Sequence, residues 1–328
     1  MRRVLFILSG LAVIFGFVAA GASLWVYSGF TRPGPLERDS TLIIERGSGA
    51  NAIARELKRA SVIDDSLIFK LGVRFIAGPV PMKAGEYLFP SGVSAENAVR
   101  ILQAGKTVIR RVTIAEGLSS ADIVALLRRT EGLTGRLDPQ LAEGTLLPET
   151  YHFSFGDTRA GLIGRMHAAQ QKLLSDFWVE RGENLPLNSP REAVILASIV
   201  EKETGKNDER GRVAAVFLNR MRKKMRLQSD PTVVYGITEG KKPLGRRLTR
   251  ADLKQATAYN TYTIKGLPPT PITNPGRDAI RAVLHPSASD DLYFVADGSG
   301  GHVFAETLRQ HNRNVARWRK LMKKNSGG

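Results

Sequence analysis

The stretch Ser189-Pro190-Arg191-Glu192-Ala193-Val194-Ile195-Leu196-Ala197-Ser198-Ile199-Val200-Glu201-Lys202-Glu203-Thr204 decides how the chain is read. It opens as a helix start, with a serine cap, proline at the first helical position and glutamate at the third. An uncharged run, Ala193 to Val200, follows, and Gly205 can stop the helix. Two glutamates lie near its end, and at about 100° per residue they face nearly opposite sides. Glu203 shares its face with Leu196, Ile199 and Val200, whereas Glu201 lies beside the smaller Val194, Ala197 and Ser198. Desolvation on the first face would raise the pKa of Glu203 toward the range a general acid needs near neutral pH. The negative end of the helix dipole acts in the same direction. The pattern equally fits a solvated helix end with Lys202 and Lys206 as partners. Spacing alone leaves both readings open.

Downstream, Arg212–Arg226 has the spacing of an amphipathic helix and leads into Leu227-Gln228-Ser229-Asp230-Pro231-Thr232, where Asp-Pro-Thr can form a turn. Polar residues in tight loops follow, in Ala258–Ile264, Gly266–Pro269, Asn274-Pro275-Gly276, Tyr293–Val295 and Gly300–Phe304. No repeat explains them, which is how a substrate cleft looks in sequence. Upstream, Leu42–Ile44, Lys83–Phe89 and Val108–Ile114 read as strands. Helices are expected over Ala50–Ala60, Ser66–Ala77, Ser94–Leu102, Ser119–Arg129 and Asp157–Val179, with an irregular segment from Gly132 to Gly144.

The N-terminus is of another kind. Met1-Arg2-Arg3 precedes Val4–Tyr27, which carries no charge. Such a run spans roughly 36 Å, enough to cross a hydrocarbon core of about 30 Å with some tilt. The flanking arginines predict a cytoplasmic N-terminus and an exported remainder, with Trp25 and Tyr27 at the membrane interface. Ala20-Gly21-Ala22 also resembles a signal-peptide cleavage site, but the apolar run exceeds an ordinary signal core and continues past it. Thr31-Arg32-Pro33-Gly34-Pro35 reads as a short extended linker.

The 328 residues carry a net charge of +17, which favours anionic lipid, acidic wall polymer or nucleic acid. An exported chain is expected to have no nucleic-acid partner. With no cysteine, disulfides, thiolate metal sites and a cysteine nucleophile are excluded. The histidines at 152, 167, 285, 302 and 311 show no metal-ligand spacing, so no metal and no cofactor is expected. No Gly-x-Ser-x-Gly or Ser-x-x-Lys motif points to a serine acyl-enzyme.

Six blocks, ASIVEKET, VFLNRM, MRLQSDPTVVYG, AYNTYTIKGLPP, NPG and YFVADGSGGH, occur in order along the chain. Together they resemble the signature blocks of the MltG (YceG-like) endolytic murein transglycosylases, and the resemblance runs from the apolar segment to about Asn312. It implies an α+β protein: a cytoplasmic tail (1–3), a transmembrane anchor (4–27), a linker (28–40), a small LysM-like α/β subdomain (41–107) and a larger mixed catalytic domain (108–328). The LysM-like reading rests on Ile44–Ile63, although no sugar-stacking aromatic cluster is visible there.

The resemblance also implies a single-pass protein of the bacterial inner membrane whose catalytic domain faces the periplasm. Its partners would be peptidoglycan strands, the membrane, and glycan polymerases or penicillin-binding proteins. It makes Glu203, the second glutamate of EKET, the catalytic acid/base. Asn219, Gln228, Asp230, Asn260 and Tyr262 are the candidates for sugar contact or orientation of Glu203; Glu149 joins them, standing where the family usually has aspartate. The implied reaction cleaves the bond between N-acetylmuramic acid and N-acetylglucosamine and leaves a 1,6-anhydro end. A hydrolase using Glu203 with Asp230, and a non-enzymatic wall-binding scaffold, are the alternatives.

Overall fold

The computed structural model describes residues 2–137 and 140–325. Met1 of the expected tail and residues 138–139 of the expected irregular segment lie outside the described residues, as do the side chains of Arg2, Arg3 and Lys324. The described chain is α+β. It divides into two compact units, Met1–Arg110 with His152–Asp157, and Arg111–Tyr151 with Thr158–Gly328.

The first unit begins with α1 (Arg2–Thr31), of which Phe6–Thr31 is long and apolar enough to cross a membrane. The helix outruns its expected end at Tyr27, because nothing resists it before Arg32, the residue preceding Pro33. Residues 28–40 are therefore not a free linker. Phe30 is 0% exposed, Leu36 is buried, and the Gly34 N–H lies 3.2 Å from the Val93 carbonyl oxygen. The Phe30 ring occupies the space left by Gly72 of α3 (Ser66–Phe75), where any Cβ would collide with it. Burying a phenyl ring outweighs the freedom an extended tether would keep.

The remainder of this core is a two-stranded antiparallel sheet, β1 (Ser40–Ile44) with β2 (Gly85–Phe89), packed with α2 (Ala50–Arg59), α3 and α4 (Ala95–Ala104). Leu42 pairs with Tyr87 in the register, and Ile53, Leu57, Phe69, Tyr87, Phe89 and Leu102 fill the interior. The Asp65 carboxylate caps α3 by accepting from the N–H groups of Leu67 and Ile68, at 2.6 and 3.2 Å. At the other end, α4 stops on Gly105, whose φ of 72° suits a residue without a side chain.

The second unit takes its frame from three helices: α7 (Pro190–Glu203), α8 (Asn207–Arg222) and α11 (Arg277–Leu284). Leu196, Val200, Val213, Phe217, Ile280 and Val283 interlock at their centre. Preceding them are β3 (Ile109–Thr113), α5 (Ser120–Arg129), β4 (Thr150–Ser154) and α6 (Arg159–Val179). The unit boundary passes through β3 and β4 themselves. Ala193 to Val200 are all buried, so α7 is covered on every side and not on one face only.

Two downstream expectations are corrected. The helix expected over 212–226 is α8, which starts earlier because Asp208 and Glu209 suit a first turn. It ends before Lys224, which takes a left-handed φ of 54°. The segment after Ser229 is no turn but α9 (Asp230–Thr238), with Pro231 in the first turn, where a missing N–H costs nothing. After α10 (Arg250–Lys254), a hairpin of β5 (Tyr293–Ala296) and β6 (His302–Ala305) precedes α12 (Leu308–Asn325). Phe294 of β5 meets Phe217 of α8 edge-on at 5.8 Å, which docks the hairpin on the helical core.

If residues 28–40 belong to the core, Phe30→Ala destabilises the first unit by about 3–5 kcal/mol, while Ser28→Ala, at an exposed position, changes it little. Denaturant unfolding in detergent, followed by limited proteolysis, measures the difference. Equal behaviour of the two variants would return the segment to a tether.

Candidate active site

Glu203 is the last residue of α7, at the helix end where unsatisfied carbonyls disfavour a negative charge. Its pKa is pushed up from 4.5 to about 7, chiefly by desolvation. The Ser229 hydroxyl, donating to Oε1 at 2.5 Å, opposes this rise; the charge of Asp230 adds to it; His302 and Arg220 oppose it more weakly. A carboxyl poised near neutrality can give a proton and take one back.

Ser229 is held by its neighbours. It is 1% exposed, its N–H donates to Thr261 Oγ1 at 2.9 Å, and its carbonyl accepts from Thr232 Oγ1 at 2.6 Å. Gln228 turns the chain into this position with a left-handed φ of 54°, its N–H reaching the Thr261 carbonyl at 3.1 Å. Beside them the Tyr262 hydroxyl donates to Asp230 Oδ1 at 2.6 Å. Burial and that acceptor both push the Tyr262 pKa upward, so it remains a donor at neutral pH.

Two further groups reach the field of Glu203. Arg220 is buried, with its guanidinium bound to the carbonyls of Leu292 and Leu227 at 2.6 Å each and lying over the Tyr293 ring. Among the described residues no carboxylate pairs with it directly, and its charge acts on Glu203 through space. His302 is oriented by Glu209, whose Oε2 lies 2.8 Å from Nδ1, and its ring meets Phe294 edge-on.

The two glutamates of α7 differ in another way than helix spacing suggests. Because α7 is covered all round, Glu201 is desolvated as well, with a side chain only 5% exposed and a pKa that burial raises. Its charge is compensated: Arg210 lies 3.1 Å away, and the Gly276 N–H donates to it at 2.8 Å. Arg210 also pairs with Glu116 at 3.1 Å. A Cβ on Gly276 would collide with the Glu116 carboxyl, so the Asn274-Pro275-Gly276 block keeps this bridge closed. Glu201 therefore ties helices together, while Glu203 has a hydroxyl where Glu201 has a cation.

Of the sequence candidates, the structure gathers Gln228, Asp230 and Tyr262 around Ser229 and Glu203, with Gln228 and Asp230 exposed. Asn260 is corrected to a structural residue. It is fully buried, and its amide is spent on the carbonyls of Gln255, Leu253 and Asp252 and on the Tyr262 N–H. Asn219, half-buried, braces the carbonyls of Ser289 and Asp291 and accepts from Arg222, with no hydrogen bond into the Glu203 cluster among the described residues. Glu149 lies in a half-exposed ion pair with Arg277 at 3.2 Å, with no hydrogen bond into the Glu203 cluster. Sequence reasoning passed over Ser229, although it stands inside the quoted MRLQSDPTVVYG block, and over Glu209, which is marked only by its tertiary pairing with His302.

A second buried carboxyl, Glu143, is also pushed up to about 7 by burial. It accepts from the Ser120 N–H and hydroxyl and from Asn274 Nδ2, and it borders a cavity of about 830 Å³ walled in part by Gln170, Tyr235 and Tyr259. Glu203 does not line that cavity. Among the described residues, no cluster of His, Asp or Glu could hold a metal ion.

A helical α+β unit carrying one uncompensated, desolvated carboxyl at a helix end is the frame of a proton-transfer site. The YceG-like family model matches residues 42–317, and the chain belongs to that family. It is 30% identical over 315 residues to the endolytic murein transglycosylase of Bacillus subtilis (strain 168), covering 85% of this chain and 86% of the relative. It is 31% identical over 325 residues to the endolytic murein transglycosylase of Streptococcus pneumoniae (D39), covering 84% of this chain but 58% of that longer protein. A solved YceG-like protein of Listeria monocytogenes is 30% identical, with 84% of this chain and 99% of that one covered and a TM-score of 0.48.

The raised pKa has a stability consequence. Below about pH 4.5 Glu203 is protonated in both folded and unfolded chains, and its burial brings no charge cost. As pH rises from there to about 7 the unfolded chain loses the proton first, so the folded state loses stability across that window. Glu203→Gln removes the ionisation and is expected to stabilise the protein by roughly 3 kcal/mol at about pH 8, with little gain near pH 4.5. Denaturant unfolding at the two pH values tests this. A gain independent of pH would show that Glu203 ionises normally.

Proposed function

We propose that this chain is an endolytic murein transglycosylase in which Glu203 alone serves as acid and base. The observation that carries the reading is the Glu203 carboxyl at the end of α7, held by one serine hydroxyl and so desolvated that its pKa is pushed up to about 7. The family membership and the printed names of the bacterial relatives support it.

In the proposed reaction Glu203, protonated, donates to the glycosidic oxygen between N-acetylmuramic acid and N-acetylglucosamine as the C1–O bond breaks. The carboxylate so formed is steadied by the Ser229 hydroxyl and by the positive field of Arg220. The muramyl 6-hydroxyl then attacks C1, its proton passes to Glu203, and a 1,6-anhydro ring closes. No water is consumed and the enzyme ends as it began. One carboxyl suffices because the nucleophile belongs to the substrate, whereas glycoside hydrolases ordinarily use two. Gln228, Asp230 and Tyr262 stand at the exposed side of the cluster as sugar-contacting groups.

The proposal includes a topology. The apolar N-terminal helix is retained as a single-pass anchor in the bacterial inner membrane, with the catalytic domain (108–328) in the periplasm. Residues 41–107 act as a LysM-like subdomain, and glycan polymerases are the neighbours on nascent strands. Supporting the uncleaved anchor, α1 runs without a break from the apolar stretch into the core at Phe30. A hydrolase with Asp230 as second carboxylate is the competing reading, favoured by the influence of that charge on Glu203.

Mass analysis of digested peptidoglycan separates the two: 1,6-anhydro ends are expected, and reducing ends would contradict the proposal. Glu203→Gln should lower product formation by at least about 10²-fold, the usual contribution of a positioned acid/base. Because the first step needs the protonated acid, kcat/KM should fall as pH rises through about 7. In Ser229→Ala the donor that lowers the pKa is gone, so this limb should move to higher pH; an unmoved limb would remove Ser229 from the site.

A further inference from the structure

Alpha-helix α3 descends along α1 toward the level of the apolar stretch. Ile68 meets α1 at Gly29, Gly72 admits the Phe30 ring, and Leu71, Phe75 and Ile76 share a groove of about 430 Å³ with Ala22, Val26 and Tyr27. The helices thus run antiparallel, and the C-terminal end of α3 lies deepest. If the run Val4–Tyr27 is centred in a bilayer, residues 22–27 sit about 10 to 17 Å from the midplane, at the edge of a hydrocarbon core of about 30 Å. The groove and the end of α3 must occupy the same depth.

The side chains there suit that depth. Phe75 is 73% exposed and Val80 54%, a cost in water that acyl chains would relieve. The turn bearing Val80 is fixed: Gln103 Nε2 donates to the carbonyls of Val80 and Ala77, at 2.9 and 3.4 Å, and Pro79 and Pro81 flank it. Trp25 and Tyr27, amphipathic rings of the kind that gather at membrane interfaces, are exposed at the same level. Residues 66–84 contain Lys70, Arg74 and Lys83 and no acid, and the Arg74 guanidinium lies 5.6 Å from the centre of the Phe75 ring. The acidic pair Asp64 and Asp65 stands at the opposite end of α3. Cations beside an inserted aromatic match phosphate headgroups above acyl chains.

We propose that Phe75, Ile76 and Val80 insert into the surface of an anionic bilayer beside α1, with Lys70, Arg74 and Lys83 on its phosphates, so that the first unit is seated on the membrane. This rests on the anchor reading of α1 and goes beyond it. An anchor alone requires only α1 in lipid, whereas a seat puts a second element there.

The absence of cysteine in the chain makes the test direct. Single substitutions Phe75→Cys, Val80→Cys, Leu67→Cys and Val13→Cys each receive an environment-sensitive fluorophore in the full chain, in nanodiscs containing phosphatidylglycerol and acyl-chain nitroxide lipids. Labels at 13, 75 and 80 are expected to be blue-shifted and strongly quenched, and the label at 67, at the upper end of α3, weakly or not at all. Quenching at 13 with labels at 75 and 80 as wet as the one at 67 would overturn the seat and leave the anchor standing. An unquenched label at 13 would remove the anchor and the seat together. In the K70E/R74E/K83E variant, quenching at 75 should drop severalfold; unchanged quenching would overturn the role given to anionic lipid.

Discussion

The catalytic reading of this chain depends on one electrostatic constraint, a largely desolvated carboxyl at the end of a helix. Glu203 closes α7, whose residues Ala193 to Val200 are all buried. The penalty on the Glu203 anion follows from this placement, and one serine hydroxyl moderates it without abolishing it.

The surrounding polar groups can be understood as the means of keeping that arrangement. Glu201, two residues away, carries a desolvation penalty as well, and the Gly276 N–H and Arg210 oppose it. The same bridge ties α7 to α8 and to the start of α11, the three helices that frame the second unit. Asn260 and Thr261 fix the loop that presents Ser229, and Asn219 and Arg220 fix the segment leading to the β5–β6 hairpin. Buried hydroxyls and amides that are hydrogen-bonded are expensive to displace, and Thr261 and Thr232 hold the Ser229 donor in this way.

Much of this was legible in the sequence, and the misses share physical causes. The caps and spacing of α7 are local features, and they were read correctly at Ser189 and Pro190. Helix spacing separates Glu203 from Glu201 only if α7 has one wet side, and the uncharged run from Ala193 to Val200 is buried on all sides. Pro231 suggested a turn, although proline is equally at home in the first turn of a helix. Pro33 and Pro35 suggested a tether, but the packing of Phe30 on Gly72 is a tertiary matter that no local pattern records. Asn219 and Asn260 were drawn as sugar ligands because polar residues in apolar surroundings suggest a cleft. Whether such an amide faces a ligand or the backbone depends on residues far away in sequence, here Ser289, Asp291 and the α10 carbonyls.

The central claim concerns one proton, and it can be observed without substrate. Carbon-13 NMR of glutamate side-chain carboxyls, with Glu203→Gln used to assign the signal, follows the ionisation of Glu203 directly. The account predicts a titration midpoint near 7. A midpoint near the ordinary glutamate value of about 4.3 would contradict it, since an already ionised Glu203 could not open the reaction as an acid.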